Sequence, residues 1–365
     1  MTARPRIVWI DAARGLCVLA VVIMHATLSL YLDHVEPGPA AAFWGWAADA
    51  MTPFRMPGLA MLSGILLARR IRSGWAHPGV RISVMNSAWL YLIWLVLFAL
   101  FAWGAGGSVW TSQVAGDGFA WDRVLLQLAL PRTVLWYVFA LGIWTVLLTC
   151  LRRVHPAIVL GALVAVSIAS RYLAIDDGDA QIRNVLRYAV FFAIGALGAT
   201  RLRNALARGD RTLLLGALSV FAATMTATIL SGSDDLEHVL SVPRDAAAAV
   251  LLLGLVARVC RTGRIGAALA WIGRRTLPVY VMHVLLLDAV LRFVPGWDRI
   301  VDEPGIRAVA PLLIAILASA ICIGVFELID RTAGRVLFGL PAPVRRRLGR
   351  RPARAGAAER SPARS

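Results

Sequence analysis

The chain contains no lysine; all 38 of its basic residues are arginine. We read this first as a coding bias toward GC-rich codons and only second as chemistry. Cysteine is scarce as well. The four thiols (Cys17, Cys150, Cys260 and Cys322) fall in or at the ends of apolar runs, and none are spaced as metal ligands. No metal site is expected, and a disulfide framework is disfavoured. Charge is thin, with 16% charged residues and only 21 acids. The basic start is not followed by a small-residue cleavage site, so no cleaved signal peptide is expected. No internal repeat is visible, and no stretch suits a second, soluble domain.

What is present is apolar. Of 365 residues 59% are hydrophobic, against about 45–50% in soluble chains. This is the composition of a polytopic membrane protein. The net charge of +17 raises nucleic acid as a partner. Position decides against it: ten arginines lie from Arg331 onward, and most others fall in short loops between apolar runs.

Runs long enough to span a bilayer fall at about 9–31, 42–68, 84–105, 134–151, 157–174, 186–200, 212–231, 245–260, 271–294 and 307–329. The odd-numbered loops carry acid, as in Asp33 and Glu36, Asp117 and Asp122, Asp176, Asp177 and Asp179, Asp234 and Glu237, and Asp298 and Asp302. The even-numbered loops carry arginine, as in Arg69, Arg72 and Arg81, Arg152 and Arg153, Arg201 and Arg208, and Arg258 and Arg264. That alternation predicts an all-α bundle of ten transmembrane helices with both termini cytoplasmic. The membrane domain is expected over 8–338. The arginine-rich segment 341–365 is expected to be a disordered cytoplasmic tail near anionic headgroups.

Arg14 and His25 stand out within the first run. Eleven residues at ~100° each return to within about 20° of the same face, and at ~1.5 Å per residue they lie about 16 Å apart along the axis. Ionisable groups inside a span are costly and mark functional sites. Asp11 precedes Arg14 by three residues and is placed to pair with it. Arg55 sits between Pro53 and Pro57 in the second run, and Arg69 and Arg72 follow at its end. The fourth run opens on Leu135, Trp136 and Tyr137. In the ninth, Thr276, Tyr280 and His283 share one helical face.

These motifs resemble the membrane-bound acyltransferase-3 family. Its first span reads Asp-x-x-Arg-Gly and then His, matched here by Asp11, Arg14, Gly15 and His25. The Pro- and Phe-containing stretch before Leu62, Ser63 and Gly64 also matches. So do the arginines after the second span, the aromatic start of the fourth, and the Ile272-Gly273 to Tyr280-x-x-His283 pattern. The resemblance covers about residues 8–338 and is nearest to a bacterial inner-membrane subgroup. Gly58, Leu59 and Ala60 depart from the family's usual run of phenylalanines, which leaves substrate details open.

The resemblance implies an O-acyltransferase of the bacterial inner membrane. It would move an acyl group, acetyl by the family's habit, from cytoplasmic acyl-CoA to a hydroxyl of an extracytoplasmic glycan or glycolipid. No bound cofactor is implied; acyl-CoA is the donor substrate, and the bilayer and the carbohydrate acceptor are the partners. His25 is then the catalytic base, and Arg14, Arg69 and Arg72 hold the donor phosphates. Asp11, Arg55, Trp136, Tyr280 and His283 line the site. Plainer readings stand beside these. Arg69 and Arg72 also serve as topology determinants, Trp136 and Tyr137 as interfacial anchors, and His283 as a hydrogen-bonding residue. The alternative function is a transporter or flippase of an envelope precursor.

Overall fold

A computed structural model describes residues 8–105, 121–173 and 180–349. Asp117, Asp176, Asp177 and Asp179 of the acidic loops, and 350–365 of the tail, lie outside the described residues. The described chain is helical, without a strand. The principal helices are α1 Val8–Ala26, α2 Pro39–Ala50, α3 Thr52–Ser73, α4 Pro78–Ala105, α5 Trp136–Cys150, α6 Pro156–Ala169 and α7 Ala180–Leu197. They continue as α8 Ala199–Arg208, α9 Arg211–Ser231, α10 Asp234–Val259, α11 Arg264–Gly273, α12 Thr276–Phe293, α13 Ala310–Ile329 and α14 Ala342–Gly349.

Local chemistry sets the ends. Asp210 caps α9 by accepting from the Thr212 and Leu213 amides at 3.1 and 3.2 Å. Ser233 caps α10, whose first turn carries Asp234, Asp235 and Glu237 against the positive end of the helix dipole. α3 stops at Gly74, whose φ of 70° admits no side chain cheaply.

Among the described residues, seven helical stretches are long and apolar enough to cross a membrane, or eight if the bent pair α7–α8 counts as one. The pair turns by 78° at Gly198. Ten spans are therefore not reached by length. α5 and α6, where the fourth and fifth were expected, have 15 and 14 residues. At 1.5 Å per residue that is about 22 Å each, short of a hydrocarbon core of ~30 Å. The expected ninth span begins at Thr276 instead of 271, because the chain breaks at Arg274 and Arg275 between α11 and α12. The segment from Pro341, expected to lack structure, opens with the short helix α14. It is anchored by the Leu340 amide donating to Asn86 Oδ1 at 3.0 Å.

Many large apolar side chains face outward. On α9, Ile229 and Leu230 are 71% and 81% exposed. Such surfaces suit lipid and not water. Polar residues go inward instead, and α1 is the hub, packed on α3, α10, α11, α12 and α13. Two crossings are so close that only glycine fits. A Cβ on Gly273 would overlap the Asp11 carbonyl oxygen, and one on Gly195 would overlap that of Met61. Small residues at helix crossings are how membrane bundles let backbones touch.

Candidate active site

The α1–α11 crossing fixes the backbone on either side of Arg14. α11 then ends, and α12 starts at Thr276, whose hydroxyl accepts from Arg14 Nη2 at 2.7 Å. Asp11 stands 4.0 Å from Arg14 Nη1, the outer limit of an ion pair. Thr276 is thus the closer partner of a guanidinium with five donors, most of them uncommitted.

Those donors border a cavity of about 90 Å³ between α1, α3, α5 and α12. Its polar lining is Arg14, Ser63, Tyr137, Thr276 and Tyr280. The tyrosine hydroxyls are already engaged. Tyr137 donates to the Leu59 carbonyl at 3.0 Å and accepts from Ser63 Oγ at 2.9 Å. Tyr280 donates to the Val134 carbonyl and accepts from the Tyr137 amide at 3.2 Å. The strongest donor left to a guest is Arg14.

Past Tyr280, outside the cavity lining, lies a pair of histidines. The Tyr280 ring lies 6.1 Å from His283, and His283 lies 5.2 Å from His25. Both histidines are buried. His283 Nδ1 donates to the Val279 and Tyr280 carbonyls of its own helix, at 3.0 and 2.8 Å. That fixes the tautomer and leaves Nε2 as the acceptor nitrogen, with no hydrogen-bond partner among the described residues. Among the described residues His283 therefore bonds to its own helix and to no neighbouring span.

The structure thus brings Asp11, Arg14, Tyr280, His283 and His25 into one continuous strip. Arg55 reaches the same region from the first turn of α3, where its Nη1 donates to the Ala48 carbonyl at 2.6 Å and its charge acts on His25. Trp136 is buried, with its ring stacked on Tyr188 at 5.7 Å, and does not line this cavity. Arg69 and Arg72 are exposed at the end of α3 and bond to no cavity residue. Arg69 lies six residues past Ser63, about 9 Å along the axis.

Two groups of residues escaped the sequence reading. Ser63 stands in the sequence only as part of the Leu62, Ser63 and Gly64 motif; it lines the cavity, and Gly64 next to it makes the close helix contact. The other group is the charges Arg187, Arg244 and Asp245, partly or wholly buried. The signal for them was available, since two of the three fall within the stretches expected to span.

Residues 7–326 match the family model described as an acyltransferase domain. No curated protein and no solved structure matches the chain. The matched stretch covers nearly every helix above, including the whole strip from Asp11 to His283, and the chain belongs to the acyltransferase-3 family of membrane acyltransferases.

Proposed function

We propose that the protein is an O-acyltransferase of the bacterial inner membrane that uses acyl-CoA, with acetyl as the first candidate group. The acceptor is a hydroxyl of an extracytoplasmic glycan or glycolipid. The strip from Arg14 through the cavity to the two histidines supports this reading, because it joins an anion-binding end to a proton-accepting end within one helix length. Arg14 holds donor phosphate through its guanidinium fork. Arg69 and Arg72 extend that positive surface. The thioester lies along the cavity toward His25, which removes the proton of the acceptor hydroxyl. The oxygen attacks the thioester carbonyl, the carbon–sulfur bond breaks, and the departing thiolate takes up the proton.

Thiol release tests this. Vesicles carrying the full chain, given acetyl-CoA and native envelope glycolipids, should release CoA thiol. Mass spectrometry should find the acceptor heavier by one acyl group per modified hydroxyl. Absence of both, across acetyl- and longer acyl-CoA, overturns the reading in favour of a transporter or flippase.

The orientation is part of the proposal. Ten crossings with both termini cytoplasmic follow from the alternation of acidic and arginine-rich loops. α5, α6 and the bent α7–α8 pair then complete the crossings as short or broken helices. Reporter fusions after Arg81, Arg153, Arg208 and Arg264 should all report cytoplasm. A single periplasmic result among them breaks the ten-span topology.

A further inference from the structure

At the end of the bundle away from Arg14, three arginines gather around one buried acid, with a fourth, Arg55, beside them. Asp245 of α10 is fully buried and receives Arg187 of α7 at 3.2 Å, Arg244 at 3.1 Å and Arg171 at 3.9 Å. Arg244 also meets Glu237 at 3.3 Å. Arg55 joins from α3, within electrostatic reach of Arg187 and Tyr188, and it is the member whose charge also acts on His25. Among the described residues the carboxylate that acts on Arg55 is that of the exposed Asp49.

Among the described residues the group is under-neutralised. There Arg171, Arg187 and Arg244 outnumber their partners Asp245 and Glu237, and a surplus positive charge among apolar helices is costly without a counter-ion. Donors are in surplus too. The Nε atoms of Arg55, Arg171 and Arg187 are buried with no hydrogen-bond partner among the described residues. The side chains of Arg171 and Arg187 still keep 10% and 18% of their surface open. Several unspent N–H donors, an excess positive charge and an opening suit a ligand with several acceptor oxygens and negative charge.

We infer that this cluster binds a phosphate ester carried by the acceptor, so that the acylated substrate is an anionic glycan or glycolipid and not a neutral one. The inference rests on the acyltransfer reading, since it places the acceptor on the His25 side of the strip. Arg55 is then the residue that joins phosphate recognition to the reacting hydroxyl.

The test uses the full-length chain in neutral detergent with no donor present, so that it is independent of turnover. Glucose 1-phosphate should bind, and glucose at matched ionic strength should not. Arg171→Gln leaves Asp245 with two arginines, so the fold should survive, and affinity should fall by roughly tenfold or more. Arg55→Gln breaks no ion pair among the described residues and should weaken binding likewise. Equal behaviour of glucose and glucose 1-phosphate overturns the inference, as does unchanged affinity in both Gln variants. A third arm separates the sources of phosphate. If phosphatidylglycerol binds in an Arg171-dependent way and glucose 1-phosphate does not, the cluster is a headgroup site and the acceptor assignment falls. Intact glucose 1-phosphate binding without thiol release would sink acyl transfer and leave the phosphate site standing.

Discussion

His25→Ala is expected to insert, fold and bind acyl-CoA, yet to transfer acyl groups about 10²- to 10⁴-fold more slowly, the usual loss when a positioned base is removed. His25 lies against His283, whose tautomer is set by two carbonyls of its own helix. In the proposed reaction His25 is the group that takes the proton. His25→Gln keeps a hydrogen-bonding side chain but accepts no proton near neutral pH, so it should fail as well. The paired measurements are acyl-CoA affinity and thiol release. Slow release with unchanged affinity supports the assignment, and a normally expressed, active His25→Ala protein removes it. Loss of donor binding instead would recast His25 as part of the donor site.

Arg14→Lys should raise the acyl-CoA Kd by roughly tenfold or more while keeping the charge, because an ammonium cannot reproduce the planar fork. Arg14→Ala should do more. The bond to Thr276 makes the contrast sharper: it holds the guanidinium beside the cavity, and a lysine offers the cavity a single rotating point charge. Titration of the detergent-solubilised protein with acyl-CoA decides the matter. An unchanged Kd for both variants would take the donor away from this end of α1.

How far the residues foretold this site depended on whether the relevant contact was local. Arg14 and His25 share a face of one helix, and Thr276, Tyr280 and His283 share another, so 3.6-residue periodicity found both sets. Their meeting across α1 and α12 is a tertiary fact, marked in the sequence only by the family pattern. Tyr137 was visible as half of a Trp-Tyr pair, but periodicity alone does not say which ring enters the cavity. Trp136 turns to Tyr188, and Tyr137 takes the lining position. Ser63 was hidden by its glycine neighbour. Helix length was the weakest inference. Hydropathy runs continue through breaks such as Gly198 and Arg274–Arg275, so apolar runs overstated how many single helices reach across.

The backbone contact of α1 with α11 also divides α1 into two mechanical regimes. At Gly15 and Gly273 main chain rests on main chain, with no rotatable side chain between them to absorb movement. Arg14, one residue away, is registered to the scaffold as rigidly as a side chain can be. Past His25 the same helix runs into the π-turn Thr27–Tyr31, where Leu30 and Tyr31 are buried, the Leu30 carbonyl accepts from the Trp297 ring and the Tyr31 hydroxyl donates to the Arg307 carbonyl. One end of α1 is registered by main chain on main chain, the other by side chains that reach across to and from the segment 297–307.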